Sequence, residues 1–145
     1  MTASRHYPAW MLTSIVLAIH IADEAGHGFL SFYNPAVLEI RQRERWLILP
    51  TFTFPVWIIL LALLVLGVLI VSHWVRRGLP WTIYAAYCFA AMMLGNGAGH
   101  LVASIYQRAW MPGTYTAPLV LISAIYLAIE AGLASKDNRS RRLLR

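Results

Sequence analysis

Charged residues are scarce in this sequence. Only 12% of the 145 residues are Asp, Glu, Lys or Arg, whereas 59% are hydrophobic, and a typical soluble domain has about 25% charged residues. The chain therefore has too little polar surface to cover a water-soluble globule. We predict a single transmembrane domain over residues 1–145.

Cysteine, lysine and several metal motifs are almost or wholly missing. The single cysteine, Cys88, excludes an internal disulfide and a zinc ribbon. The only lysine, Lys136, lies outside the apolar runs, so a retinal Schiff base within a span is excluded. No HExxH motif occurs. Five histidines are too few for the many-histidine di-iron centres of membrane desaturases.

Four apolar runs approach or exceed the length of about 20 residues that a helix needs to cross a bilayer. They predict spans over residues 8–33, 50–74, 80–107 and 116–135. The fold class that follows is an all-α membrane protein with a four-transmembrane-helix bundle. The polar connection after the first run ends in an apolar stretch, which is typical of a short surface helix.

Basic residues are distributed unevenly between the connections. Four spans place the N-terminus, the second connection and the C-terminus on one side, and these segments carry eight of the 12 Lys and Arg residues. The positive-inside rule then predicts that both termini are cytoplasmic. Residues 136–145 form a basic cytoplasmic tail, whose expected partners are anionic membrane lipids rather than nucleic acid.

A stripe of four polar residues interrupts the first run. His20, Asp23, Glu24 and His27 fall within about 100° of one another on a helix. Charged residues at a helix centre cost about 2.5–3.5 kcal/mol each on insertion scales, so they face the interior and pair. The stripe therefore predicts a buried polar cluster.

A second polar pair, Asn96 and His100, shares one face of the third run. At a rise of about 1.5 Å per residue, this pair and the end of the first stripe both lie about 24–30 Å beyond the prolines that begin their runs. Spans one and three run in the same direction. We therefore expect the two sets to meet at one depth.

Three interpretations of this cluster stay open at this point. It can be a hydrogen-bonded plug that fixes helix packing, a metal site, or a metal-free site for proton transfer or substrate binding. Imidazole and carboxylate ligands suit Zn or Fe. Glu24 and His27 match the Glu-x-x-His spacing of di-iron bundles, but the other spans offer no further carboxylate at that depth, which favours a mononuclear site. Haem held by His100 with His20 or His27 is an alternative.

Several other residues have simpler expected roles. Gly95 and Gly99 form a small-xxx-small pair that lets a helix approach closely, from span one or from a neighbouring chain in a homo-oligomer. Glu130 is expected either to extend its carboxylate to the cytoplasmic surface or to pair with a basic residue there. His6 and His73 are expected to be solvated.

The sequence resembles a family of small bacterial membrane proteins named for an HXXEE motif. His20-Ile-Ala-Asp23-Glu24 matches this motif with Asp23 in place of the first Glu, and Asn96 with His100 matches a second signature. Residues 112–117 (PGTYTA) look like a third signature. The resemblance covers nearly the whole chain and implies a helical fold in the bacterial inner membrane. It implies that His20, Glu24, Asn96 and His100 are functional, and it brings no assigned activity.

Our leading hypothesis is a membrane-embedded, metal-dependent enzyme that acts on a lipid or other apolar substrate. His20, Glu24 and His100 would bind a divalent metal, Zn or Fe, with His27 as a fourth ligand. Asp23 and Glu24 are the predicted catalytic residues, with Asp23 acting as base or orienter. Asn96 would position water or substrate. The alternatives are a cofactor-binding or accessory protein without turnover and a metal-free, sterol-isomerase-like enzyme.

Overall fold

The computed structural model describes residues 4–143, and within them the fold is all-α, with five helices and no strand. The helices are α1 (Tyr7–Gly26), α2 (Phe29–Arg43), α3 (Phe54–Arg77), α4 (Trp81–Gln107) and α5 (Ala117–Leu143). Pro8 and Pro55 lie in the first turns of α1 and α3, where a missing N–H costs no helix hydrogen bond.

Three of these helices, α3, α4 and α5, are long and apolar enough to cross a membrane. The chain is therefore a membrane protein by the length and composition of its helices. The polar residues of α1 lower its mean hydropathy, and α1 is not among the three. The four-span bundle and the cytoplasmic location of the termini remain predictions.

The first apolar run does not form one helix over residues 8–33. α1 ends at Gly26, and α2 begins at Phe29. Between them Gly28 has a φ of +70°, a left-handed conformation that glycine adopts without steric cost and that turns the chain. α2 then continues through the polar connection, in which a surface helix was predicted. This break places His20, Asp23 and Glu24 in the last two turns of α1 and His27 at its C-cap.

α1 packs against α3 and α5, and α4 packs most extensively against α5. The close approach of α4 to α5 occurs at Gly97, where an added Cβ would lie 2.9 Å from Leu121 Cγ and 3.1 Å from the Ala117 carbonyl oxygen. Gly95 and Gly99 have no such neighbour among the described residues. The prediction that Gly95 and Gly99 form the packing face within the chain is therefore wrong.

Residues 4–6, the α3–α4 connection and the C-terminal half of α5 meet at one end of the bundle. The Ser4 amide donates to the Arg76 carbonyl over 3.1 Å, and Arg5 Nε donates to Glu130 Oε2 over 3.0 Å. The expected pairing of Glu130 with a basic residue is confirmed. His6 was expected to be solvated, but it is 1% exposed because its ring packs against α4, 3.1 Å from Thr82 Oγ1.

Candidate metal centre

Three of the predicted ligands meet near the opposite end of the bundle. His20 and Glu24 lie one turn apart on α1, and His100 reaches them from α4. Glu24 Oε1 lies 2.9 Å from His100 Nε2 and 3.7 Å from His20 Nε2. One ligand atom from each residue lies within 4.8 Å of the other two. All three residues are buried, at 1% exposure for His20, 5% for Glu24 and 8% for His100.

The Nδ1 atom of His20 is held by a threonine that precedes α5. His20 Nδ1 lies 2.7 Å from Thr116 Oγ1, and the Thr116 hydroxyl lies 2.8 Å from Asp23 Oδ2. Because the hydroxyl donates its one hydrogen to the carboxylate, it accepts a hydrogen from His20 Nδ1–H. This tautomer leaves the lone pair on His20 Nε2, the atom that faces Glu24.

Two buried polar atoms of the cluster have no hydrogen-bond partner within residues 4–143. They are His20 Nε2 and Asn96 Oδ1. Buried polar atoms in proteins are nearly always paired with protein, water or an ion. In this tautomer, His20 Nε2 therefore carries a buried lone pair that can bind an electrophile such as a metal ion.

The loop between α4 and α5 covers both imidazole rings. Gly113 has a φ of +84°, and a Cβ added there would lie 2.6 Å from His100 Cε1 and 3.0 Å from His20 Cε1. Glycine is therefore required at this position for two reasons, the left-handed backbone conformation and the close approach of the two imidazole rings. The two rings meet edge to face with centroids 4.8 Å apart.

Among residues 4–143, no Lys or Arg side chain pairs with the carboxylates of this cluster. Within the described part of the chain, the groups that pair with Glu24 and Asp23 are imidazoles, and no Lys or Arg nitrogen lies within 4 Å of either carboxylate. A buried carboxylate is stabilised by a nearby positive charge. A bound cation would supply such a charge here.

His27 does not join the three-residue group. Its Nδ1 lies 2.8 Å from Asp23 Oδ1, its side chain is 56% exposed, and its ring centroid is 5.4 Å from that of Tyr115. The Asp23 side chain, only 7% exposed, thus bridges His27 and Thr116. In this arrangement Asp23 orients Thr116 and His20, and His27 lies at the surface beside it.

A pocket of about 220 Å³ lies against the cluster on the side of α2 and α4. Asn96 and His100 form part of its wall, and most of the remaining lining is apolar. The complete lining comprises Phe29, Phe32, Gly95, Asn96, Gly99, His100, Ala103, Met111 and Pro112. The site is therefore buried from water but adjoins a space that an apolar molecule can enter.

Two contributors to the site were not among the predicted site residues. Thr116 and Gly113 come from the α4–α5 loop, and their contacts to His20 and His100 depend on how that loop folds back. The available signal was the PGTYTA segment of the third signature. Its Gly and second Thr are the two residues that touch the imidazoles.

The donor set fits a metal ion. Two imidazoles and one carboxylate are typical ligands of Zn and of non-haem Fe(II), and an outer carboxylate that fixes the tautomer of a ligand histidine is common in such sites. His20, Glu24 and His100 can therefore hold a divalent metal ion.

One of three comparisons with known proteins gives a match. Comparison with curated proteins and with solved structures gives no match. A family model described as "protein of unknown function with HXXEE motif" matches residues 10–127. This range contains the three candidate ligands and the α4–α5 loop. The chain therefore belongs to the HXXEE-motif family.

Proposed function

We propose that this protein is a membrane-embedded metal-binding protein that acts as a metal-dependent enzyme on a lipid or other apolar substrate. One observation carries the proposal. Among the described residues, the buried His20 Nε2 has no hydrogen-bond partner, and it faces Glu24, which also contacts His100.

In this proposal His20 Nε2, Glu24 and His100 Nε2 hold the ion. Three protein ligands leave coordination positions open, as catalytic sites require. A bound Zn or Fe ion would supply Lewis acidity or an activated water. Asp23 holds the Thr116 hydroxyl that accepts from His20, so it serves as a positioning residue. Asn96, whose Oδ1 is buried and unpaired within the described chain, would orient water or substrate.

The pocket beside His100 supports an apolar substrate. Apolar residues and glycines form most of its lining, and Asn96 and His100 are the polar residues in it. Binding sites for small molecules commonly combine an apolar wall with a few polar groups that fix orientation. α4, which forms one wall, is apolar enough to lie in the hydrocarbon layer.

Metal-free proton transfer is the second candidate, and the direct contact between Glu24 and His100 favours it. Their 2.9 Å separation is a hydrogen-bond distance across which a proton can pass.

Haem binding is disfavoured by the arrangement of the two imidazole rings. Rings that bind opposite faces of a haem have the macrocycle between them, whereas His20 and His100 meet edge to face and Gly113 packs against both.

Metal analysis of detergent-purified protein tests the proposal. The wild type, His20→Ala and His100→Ala are loaded with Zn(II) or with Fe(II) under anaerobic conditions, desalted and analysed by elemental mass spectrometry. His73→Ala is the matched control, because His73 is exposed on α3. We expect about one ion per chain in the wild type and the control, and loss of the ion in both cluster variants.

The outcomes separate the candidates. Absence of stoichiometric metal in the wild type, with the fold intact by circular dichroism, would overturn the metal proposal and favour proton transfer. Metal that survives both substitutions would place the ion elsewhere. A Soret band in the same samples would support haem instead.

A further inference from the structure

No contact within the described chain requires glycine at positions 95 and 99 of α4. Apart from the adjacent residues and the local backbone of α4, no atom of the described residues lies within 4 Å of a Cβ added at either position, and neither has a positive φ. Gly97, in contrast, is explained by its contact with α5. Glycine weakens a helix relative to alanine. Two such positions one turn apart suggest that something outside the chain approaches α4 there.

The space over these glycines is the pocket described above. Gly95 and Ala103 mark its extent along α4, a length of about 12 Å at the rise of a helix. Phe29 and Phe32 of α2 form the facing wall, and Met111 and Pro112 of the α4–α5 loop lie at its edge. We call this space, which lies between α2, α4 and the α4–α5 loop, the groove.

The inner wall of this groove is the candidate metal centre. His100, at 8% exposure, lines the groove and lies 2.9 Å from Glu24. Behind it His20, at 1% exposure, has an unpartnered Nε2 within residues 4–143. Asn96, another lining residue, has an unpartnered Oδ1 in the same part of the chain. The apolar groove therefore ends at buried polar groups that need a ligand.

The groove opens sideways. Gly95 and Gly99 are exposed on the surface of α4, which is apolar enough to span a membrane. The medium outside them is then the hydrocarbon layer. A volume of about 220 Å³ is below the roughly 300–1,000 Å³ of pockets that enclose a whole drug-sized ligand. Only part of a lipid fits inside, and the rest stays in the bilayer.

We propose that the hydrocarbon chain of a membrane lipid lies over Gly95 and Gly99, between α2 and α4, and carries a polar group to His100 and Asn96. The ligand is thus a chain amphiphile that enters laterally from the bilayer. This inference rests on the proposed function for the reaction at the polar end. The binding of the chain itself does not require the metal.

A second copy of this protein is the rival occupant, because glycines four residues apart also form helix-dimer faces. The surroundings favour a lipid chain. Phe29 and Phe32 of α2 line the side of the groove that faces the glycines, so the groove has one aromatic wall. A docking helix would meet this wall, whereas a single hydrocarbon chain fits between it and α4.

Photolabelling tests this assignment. The probe is a long-chain fatty acid with a diazirine in mid-chain, incorporated into phosphatidylcholine vesicles that contain the full-length protein. Gly95→Leu and Gly99→Leu fill the groove, and Ala98→Leu is the matched control, because Ala98 is exposed on α4 but does not line the groove. Mass spectrometry locates the label, elemental analysis gives the metal content, and circular dichroism gives the helix content.

We expect the label on the peptides that contain Phe29–Phe32 and Gly95–Ala103 in the wild type and in Ala98→Leu. Either groove-filling substitution should lower this label about tenfold or more, because overpacking excludes the chain. Helix content should remain unchanged.

Label that lies elsewhere, or that survives both substitutions, would overturn the proposal. So would a wild-type dimer that each leucine variant converts to monomers, because the glycine face would then be an interface. Specific labelling in a protein without metal would support the chain site and overturn only the metal function. Bound metal without specific labelling would support the metal function and overturn the site for the hydrocarbon chain.

Discussion

At the end of the bundle that holds the N-terminus, a buried histidine meets a threonine. Thr82 donates its hydroxyl to the Leu79 carbonyl over 2.6 Å, so it accepts from His6 Nε2. Nearby, the Glu130 carboxylate pairs with Arg5 over 3.0 Å. Arg carries a permanent charge. Each carboxylate and hydroxyl named at this end has its partner within the chain, whereas His6 Nδ1, like His20 Nε2, is buried without a hydrogen-bond partner among the described residues.

At the other end the same residue types meet without a permanent cation. His20 contacts Thr116, and Glu24 contacts His100. Thr116 donates to the Asp23 carboxylate, so the histidine–threonine pair gains an anionic anchor that His6 and Thr82 do not have. The Glu24 side chain is 6% exposed, compared with 17% for Glu130.

This difference shows why one cluster is structural and the other is a candidate site. Arginine already compensates the charge of the Glu130 carboxylate, so a further cation would stabilise that carboxylate little. A buried carboxylate between two imidazoles gains most from a divalent cation, because neutral imidazole can release its lone pair to the ion. The comparison can therefore be tested by making matched substitutions at the two ends.

The largest expected effect is on Glu24. Glu24→Gln keeps the size of the side chain but removes the charge and a ligand, so we expect the metal dissociation constant to rise by more than about 100-fold. Loss of an outer partner alone costs about 10–100-fold. Glu130→Gln, the matched change at the N-terminal end, should leave the constant within about twofold, because exposed ion pairs contribute little. Competition with a chromogenic chelator measures both. Equal effects of the two substitutions would contradict the distinction between the ends.

A smaller effect is expected at the two threonines. Thr116→Val removes the hydroxyl that fixes the tautomer of His20 while keeping the shape of the side chain. We expect metal affinity to fall by about 10–100-fold, as for other outer partners of ligand histidines. Thr82→Val removes the corresponding partner of His6 and should leave metal affinity unchanged.

The same chelator competition, together with thermal unfolding, distinguishes affinity from stability. Thr82→Val should lower the unfolding temperature only, since a buried donor is left without its acceptor. If Thr116→Val binds metal as tightly as the wild type, Thr116 does not position His20.

These outcomes depend on contacts that the sequence predicts unequally. Helical periodicity and depth matching predict that Glu24 and His100 meet, because both lie on regular helices whose starts are marked by prolines. The roles of Thr116 and Gly113 were not predicted, since they follow from the path of an irregular loop. The break at Gly28 was missed because apolar residues resume directly after it, at Phe29 and Leu30.

Glycine roles were also misassigned from spacing alone. The pair Gly95 and Gly99 fits the small-xxx-small pattern, but the packing contact with α5 is made by Gly97, between them. Periodicity identifies which residues share a face but not which face meets a neighbouring helix. His6 was missed for a similar reason, because its burial depends on the long-range contact with α4.

The smallest expected effect concerns pH and the N-terminal end. Burial lowers the pKa of His6 below its ordinary 6.5, and the negative charge of Glu130 partly opposes this shift. The unfolded chain therefore takes up a proton at His6 more readily than the folded protein. The contribution of neutral His6 to stability is complete above pH 6.5 and is lost as the pH falls through the lowered pKa.

His6→Gln should reduce this pH dependence while keeping a side-chain N–H that can donate to Thr82. Thermal unfolding in detergent between pH 8 and pH 5 measures it, and one proton changes the free energy of unfolding by at most about 1.4 kcal/mol per pH unit. We expect the wild type to lose more stability than His6→Gln as the pH falls, with no difference in metal content at pH 8. If the two curves are parallel, His6 does not titrate differently on folding. The contrast between the two ends would then lie in metal binding alone.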